Sequence, residues 1–556
     1  MYRELMIPMR NLGISRVHNS ATTLLQDGEI VYHLENERLS NRKYDAFPFQ
    51  CLSKLDTKDL DNICIAGVGK TTPADCFVDD DAYSLFVKTK ENKYDTDVYD
   101  LSLSHHKLHA AHAFYNSGFD EAICIVKDGM GSDVPLRGDQ FQPGTYGREL
   151  TTTFSASYPS DFRIIDRHVA VPFEANHRFD ETLISNNLGE GMAFQKTSMA
   201  FGFHELDAGK VMGMASYGEE LPISIYQNGL IDNELFYIGR DLCDTGVNYI
   251  FENFQTKADF AQTLQKQTQE HVGQYILDQI EKTGCKNVCL SGGFFLNCVA
   301  NYYYLSILPK DVNLYIEPVS SDAGTSIGAA KYIYHHKTRD TTKRPLKSLY
   351  LGPRQDNMTQ LYMENTRPTT PFEVADMIAV GKVVAIFQYR SEAGPRALGN
   401  RSILFDPRNA RAKDIINTIK KREEFRPFAA SVMQEYAHDW FDLRGMEESP
   451  FMMYAVQVLS DDIPGVTHVD NTCRVQTVTV DQNFHYYQLL ACFYETTGVP
   501  VLFNTSFNLA GECIVETPAD AIRTMKSSNI DGIYFADLGC YISNNNNTRP
   551  ALTSGT

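Results

Sequence analysis

The sequence predicts an α/β protein built in more than one part, and three observations carry that reading. Strand-length apolar runs repeatedly end in Gly-rich turns with acidic residues, at Ala122 to Gly131, Asn287 to Phe294 and Asn313 to Gly328. Turns of this kind at the carboxyl ends of strands suggest a nucleotide cleft. Residues 335–346, HHKTRDTTKRPL, are polar and basic without apolar periodicity, which places the principal boundary between 1–345 and 346–556. Finally, 556 residues with 43% hydrophobic content allow two to four domains.

Taken in order, Leu12 to Ser15 reads as a strand. Asp27-Gly28 is a hairpin signal before a returning strand at Glu29 to Tyr32. A short charged helix, Glu35 to Arg42, leads to Lys43. Leu101 to Gly131 holds four histidines within eight residues, an apolar run from Ile123 to Val126, and Asp128-Gly129-Met130-Gly131. Ala258 to Lys282 has helical spacing, with Phe260, Leu264, Val272, Ile276 and Ile280 on one face. Beyond the boundary come a strand at Val383 to Phe387, the dense run Arg390 to Ser402, the basic stretch Lys420 to Phe428, and the segments Thr472 to Val478 and Val501 to Asn508. Gly67 to Asp97 and Phe141 to Asp180 read as loops able to shape an acceptor pocket. Asn544 to Asn547 and the tail to Thr556 read as disordered or peripheral.

On a helix, His105 and His109 stand at i and i+4, so both imidazoles can grip one cation, and Asp128 can reach it from the following strand. His106 with His109, or His105 with His112, lie on nearby faces, and a polar helix face is the plain alternative. Imidazoles plus a carboxylate suit Fe(II), Mn or Zn better than Ca or Mg. Ser291-Gly292-Gly293 and Asp322-Ala323-Gly324 are ordinary turns or cradles for phosphate or ribose. Lys210, in the small-residue run Ala208 to Gly218, is an amine that can meet a phosphate or carboxylate. His18, after the first strand, carries an imidazole able to take a proton from a hydroxyl and is the candidate general base. Arg390, Arg396, Arg401, Arg422, Arg426 and Arg474, with Lys420, either face solvent or gather around anions such as a triphosphate.

A net charge of −19 gives no general reason to bind polyanions. Twelve cysteines with no CxxC read as buried thiols of a reducing cytoplasm. The N-terminus lacks the apolar core of a signal peptide, and no apolar stretch has membrane-spanning length. A cytoplasmic location away from the membrane is the expectation.

With these runs laid out, the sequence resembles the O-carbamoyltransferases of antibiotic and nodulation-factor biosynthesis over nearly its whole length. The resemblance rests on His18-Asn19, HHKLHA at 105–110, KDGMG at 127–131, GKVMGMASYG at 209–218, LSGGFFLN at 290–297 and SSDAGTSIGAA at 320–330. It continues in EAGPRALGNRSIL at 392–404, REEFRPFA at 422–429, RVQTV at 474–478 and NTSFN at 504–508. It implies an N-terminal domain of the duplicated actin and sugar-kinase type, shared with the tRNA threonylcarbamoyl transferases, and a C-terminal YrdC-like α/β domain. By that resemblance the C-terminal domain forms carbamoyl adenylate from carbamoyl phosphate and Mg-bound ATP. The N-terminal domain then passes the carbamoyl group to an acceptor hydroxyl beside an iron-like metal.

Carried over residue by residue, His105, His109, Asp128 and Asp322 match metal ligands, His18 the base, and Lys43 a lysine near the transfer site. Gly129, Gly131, Lys210, Ser291, Gly292, Gly293, Asn297 and Gly324 line the nucleotide there. Arg396, Lys420, Arg474, Ser506 and Asn508 match the adenylate-forming site, with Arg390, Arg401 and Arg422 beside them. Tyr389, Ala430 and Cys513 depart from the family's usual Gly, Pro and Pro, all near the adenylate-forming site. Free carbamoyl adenylate would hydrolyse, so a closed route between sites is expected.

The acceptor expected is a small-molecule alcohol or a hydroxymethylated pyrimidine, as nucleotide or in DNA, and the family suggests a homodimer. The competing classes are a threonylcarbamoyl-type tRNA modification protein and a non-catalytic nucleotide-binding regulator. The run from Glu392 to Ser402 speaks against the first, and retention of His18 and the paired histidines against the second.

Overall fold

A computed structural model describes residues 9–69, 81–136, 141–239, 242, 244–355, 361 and 364–545. The chain forms two compact units. Unit 1 comprises Met1–Asn36 and Tyr44–Leu346, and unit 2 comprises Glu37–Lys43 and Lys347–Thr556.

Unit 1 contains one topology twice. Its first sheet has the order β3-β2-β1-β4-β5, built from β1 (Arg10–Ser15), β2 (Ala21–Gln26), β3 (Glu29–Glu35), β4 (Asn62–Ala66) and β5 (Asp97–Asp100). The three hairpin strands are antiparallel, while β1-β4 and β4-β5 are parallel. In the second sheet, β6 (Glu121–Lys127) pairs antiparallel with β8 (Tyr146–Ser157), and β8 with β9 (Asp161–Ala170). On its other side β6 runs parallel to β16 (Asn287–Ser291), and β16 to β17 (Asn313–Ile316). The path β9-β8-β6-β16-β17 repeats the first sheet strand for strand. Three short strands, β7 (Asp133–Pro135), β10 (Asn176–Phe179) and β11 (Thr182–Ser185), extend it. Two small hairpins stand apart, β12 (Tyr226–Gln227) with β13 (Leu230–Ile231) and β14 (Phe236–Ile238) with β15 (Thr245–Val247).

The helices follow the same plan. After the short α1 (Glu37–Ser40) of unit 2, unit 1 has α2 (Phe49–Lys54), α3 (Ala82–Glu91) and α4 (His105–Ser117). It continues with α5 (Glu190–Ala200), α6 (Ala208–Ala215), α7 (Phe254–Thr283), α8 (Cys298–Ile307) and α9 (Thr325–Thr338). Helix α4 packs on β6 and β16, α9 packs on β1 and β4, and the two helices pack on each other between the sheets. The carboxyl ends of β1, β6, β16 and β17 therefore open on one cleft.

The hairpin expected at Asp27-Gly28 joins β2 to β3, with φ of 50° and 81° as a tight two-residue turn demands. Several expectations are corrected. Residues 141–180 are mainly strands: β8 carries buried Thr151, Thr152 and Thr153, so it lacks the alternation that marks a half-exposed strand. Helix α9 continues through the basic stretch to Thr338, and His335 is buried, its ring stacked 4.3 Å from Tyr115. Residues 70–80 of the 67–97 stretch, and 546–556 of the tail, lie outside the described residues. Asn544 is structural, its side-chain amide donating to the carbonyls of Met525, Ser528 and Ile530 at 2.9 to 3.0 Å.

Unit 2 is one ten-stranded sheet, β18-β27-β26-β19-β20-β25-β21-β24-β23-β22. Its elements in chain order are β18 (Thr366–Pro368), α10 (Pro371–Ala379), β19 (Val384–Phe387), β20 (Arg401–Phe405), α11 (Ala412–Lys420), β21 (Ala429–Met433) and α12 (Ala437–Trp440). There follow β22 (Phe441–Asp442), β23 (Ala455–Val458), β24 (Thr472–Val478), α13 (Phe484–Thr497), β25 (Val501–Ser506), α14 (Pro518–Lys526), β26 (Gly532–Phe535) and β27 (Cys540–Ser543). Among the described residues no helix is long and apolar enough to cross a membrane, and the cysteines are free thiols.

Candidate metal centre and anion site

In unit 1 the first two turns of α4 supply His105 and His109, the residue after β6 supplies Asp128, and the turn after β17 supplies Asp322. One ligand atom from each lies within 4.8 Å of the other three. His105 Nε2 stands 3.2 Å from Asp128 Oδ2 and 3.5 Å from Asp322 Oδ1. His109 Nε2 is 3.5 Å from the same Asp322 oxygen and 3.2 Å from His105 Nε2. Both histidines are fully buried, and Asp322 is 2% exposed.

Two imidazole nitrogens facing each other between two buried carboxylates suit a cation, either a proton or a metal ion. Burial would push His105 down, but the Asp322, Asp128 and Glu149 carboxylates outweigh it and lift the ring to about 9. Burial likewise opposes ionisation of Asp128, yet the hydrogen bond from His105 and the nearby histidines hold its carboxyl well below the usual range. Two neutral imidazoles and two carboxylates form a donor set suited to a divalent transition ion, so these residues fit such a group.

The surroundings orient the donors. His105 Nδ1 faces the Gly67 carbonyl at 3.3 Å, His109 Nδ1 faces Ser291 Oγ at 3.4 Å, and the Gly293 N–H donates to Asp128 Oδ1 at 3.1 Å. The other two histidines of the cluster turn elsewhere. His106 faces Thr152 Oγ1 at 2.8 Å and His112 faces Glu317 at 3.2 Å, and burial keeps both rings neutral. His18 is 43% exposed at its side chain, and its Nδ1 lies 3.3 Å from Asp322 Oδ2.

Several residues expected to cradle a nucleotide make contacts within unit 1. Ser291 and Gly293 hold ligands, as just described. The Gly131 N–H is taken by the Glu149 carbonyl, and the Gly324 N–H by that of Ser321. Asn297 caps α8 and bonds Gln265. Lys210 pairs with Asp207 at 3.0 Å. Gly129 follows Asp128 in the chain, and Gly292 lies against the Lys127 backbone. Lys43, expected near the transfer site, belongs to unit 2, where its charge acts on Lys420.

Unit 2 gathers the second constellation. Lys420, the last residue of α11, donates to Asn508 Oδ1 at 2.9 Å and lies 3.3 Å from Ser506 Oγ. Burial, then the charges of Arg422, Arg426 and Lys43, hold the Lys420 amine well below its ordinary value. Burial and the charges of Arg426 and Arg474 do the same to Arg422. This accumulation of positive groups suits an anion.

Two arginines expected there have other work. Arg401 is completely buried, lies 3.6 Å over the Phe387 ring and donates to the carbonyls of Gln388, Asn400, Tyr389 and Glu516. Arg390 donates to the Gly352 and Leu351 carbonyls, both at 2.6 Å. Both are struts of the loop that carries half-buried Arg396. Arg38, which sequence reasoning missed, is 2% exposed in unit 2 and donates to the Gly394 carbonyl at 2.7 Å. An isolated arginine in a charged run gives no sequence signal of burial.

Comparison with known proteins bears on both units. The carbamoyltransferase N-terminus family matches residues 74–331, and the carbamoyltransferase C-terminus family matches 375–540. The nodulation protein NolNO of Sinorhizobium fredii is 31% identical over 95% of this chain and 79% of its own. A 3'-hydroxymethylcephem-O-carbamoyltransferase of Amycolatopsis lactamdurans is 34% identical over 45% of this chain and 47% of its own. Among solved structures, HypF of T. kodakarensis aligns at TM-score 0.39 and 13% identity, over 60% of this chain and 49% of its own.

Proposed function

The chain belongs to the O-carbamoyltransferase family, and from that premise we propose an ATP-dependent transfer in two stages. Unit 2 forms carbamoyl adenylate from carbamoyl phosphate and Mg-bound ATP. Unit 1 then passes the carbamoyl group to the hydroxyl of a small-molecule alcohol or a hydroxymethylated pyrimidine. The observation that carries the reading is the cluster of His105, His109, Asp128 and Asp322 with His18 against its rim.

In the first stage water hydrolyses carbamoyl phosphate to carbamate and inorganic phosphate. A carbamate oxygen bonds the α-phosphorus of ATP, and pyrophosphate leaves. Lys420, Arg422 and Arg474 meet the negative charge of the phosphates, with Ser506 and Asn508 holding the Lys420 amine in place. Carbamate is a poor electrophile, and the attached AMP makes a good leaving group.

In the second stage the acceptor oxygen bonds the carbamoyl carbon and AMP leaves. His18 keeps Nδ1 toward Asp322 and offers Nε2 to the acceptor hydroxyl, whose proton it takes. His105, His109, Asp128 and Asp322 would hold a divalent ion, for which we propose Fe(II) on the family resemblance. Such an ion supplies Lewis acidity and a template for the adenylate. The turn at Ser291 to Gly293 keeps His109 and Asp128 in register.

Incubation with carbamoyl phosphate and ATP should release pyrophosphate. A panel of alcohols and hydroxymethylated nucleosides should then reveal the acceptor by a carbamoyl mass shift. No pyrophosphate from folded protein would overturn the adenylation stage.

A further inference from the structure

Directly behind the metal centre, unit 1 buries a second pair of charges that neither stage uses. Lys127, the last residue of β6 and the neighbour of Asp128, is 4% exposed; Glu190, the first residue of α5, is 6% exposed. The Lys127 amine lies 2.9 Å from both Glu190 carboxylate oxygens and 3.1 Å from Thr151 Oγ1, and 4.8 Å from the centre of the Tyr275 ring.

The backbone that these residues share with Asp128 has no room to move. A Cβ on Gly191, next to Glu190, would come within 2.5 Å of the Asp128 carbonyl oxygen. One on Gly292, whose φ is +99°, would come within 2.2 Å of the Lys127 carbonyl oxygen. The start of α5 and the turn after β16 thus clamp residues 127–129 from two sides. A buried ion pair adds little net stability, because desolvation offsets the attraction, but it fixes geometry.

We propose that Lys127 and Glu190 are a positioning pair: by locking the first turn of α5 onto the Asp128 loop, they set the Asp128 carboxylate for metal binding. The inference rests on the metal reading of the four-ligand cluster. The pair is neutral as a whole, so removing both charges changes the positioning without changing the net charge around the metal.

The test is the Mn(II) and Zn(II) affinity of the full chain, measured by competition with a chromogenic chelator, with thermal unfolding followed alongside. Glu190→Asp withdraws the carboxylate by one methylene, and the double variant Lys127→Met with Glu190→Met removes both charges. We expect each to fold and to bind metal about 10- to 100-fold more weakly, the range typical of residues that orient metal ligands. If one variant fails to fold, the other decides. A folded variant with wild-type affinity overturns the positioning role, as does failure of both to fold, which would make the pair an element of folding. Absence of divalent-ion binding by the wild-type chain overturns the metal reading itself.

Discussion

His18 Nδ1 lies 3.3 Å from Asp322 Oδ2, while the other oxygen of that carboxylate, Oδ1, lies 3.5 Å from the Nε2 atoms of both His105 and His109. One carboxylate thus serves three histidines, His18 at one oxygen and His105 and His109 at the other, and substitutions on its two sides should separate. His18→Ala should lower carbamoyl transfer by about 10²-fold or more, the usual weight of a general base, while pyrophosphate release and metal content stay unchanged. Asp322→Ala should lose metal and transfer together. Full transfer by His18→Ala would remove the base assignment.

In unit 2 two basic residues predict opposite phenotypes. Lys420→Ala should abolish carbamoyl-phosphate-dependent pyrophosphate release, with little change in melting temperature. Arg401→Lys should instead destabilise the unit by about 2–4 kcal/mol, because a lysine cannot reach the four carbonyls that the guanidinium serves. Thermal unfolding and a pyrophosphate assay on both variants check the contrast.

Stability should depend on pH through Glu317. This carboxyl is fully buried, and burial raises it to about 7 against the opposing hydrogen bonds from Val319, Asn116 and Tyr315. A folded pKa above the unfolded one means that the stabilisation is complete below the ordinary carboxyl value and is lost as pH rises through about 7. Nearby Lys331 is lowered by burial to about 8, so its contribution changes only above that pH. Between pH 5 and 7.5, the wild type should therefore lose about 2 kcal/mol relative to Glu317→Gln. Parallel denaturation curves of the two proteins across that range would remove the assignment.

Arg38 should matter to unit 2 out of proportion to its place in the sequence. Arg38→Met leaves the Gly394 carbonyl without this donor and removes the smaller of the two arginine charges, Arg401 and Arg38, that act on the buried Glu516. The expected cost is about 3 kcal/mol, together with reduced pyrophosphate release, because Gly394 belongs to the loop that bears Arg396. Urea unfolding read alongside the assay would show both effects or neither.

The legible parts of the chain were those with local signals. The i, i+4 spacing of His105 and His109 announced a shared face, and the apolar runs ending at Val126, Leu290 and Ile316 marked strands to within a residue or two. Helix α7 begins four residues earlier than its apolar spacing suggests, because Asn253 and Thr256 form a capping box that periodicity does not register. Helix α9 was hidden at its end because Lys331 and His335 are buried polar residues satisfied by Asn116 and the Asp340 carbonyl. What could not be read was partnership across distance. An arginine that binds phosphate and one that props a loop look alike in sequence, and Lys127 and Glu190 meet across 63 positions.

The excursion of residues 37–43 into unit 2 has a consequence for how the protein is made. Arg38 leaves the ribosome 356 residues before the carbonyl it will bind. Throughout the synthesis of unit 1 the short segment waits without its partners, and unit 2 can complete its core only after most of its own later chain has emerged. A cut at the apparent boundary near residue 346 would therefore yield two products of unequal fate. The upstream product would carry a stranded basic segment, and the downstream one would lack a strut supplied before it began. Circular permutation or domain exchange in this protein has to move residues 37–43 together with the downstream unit.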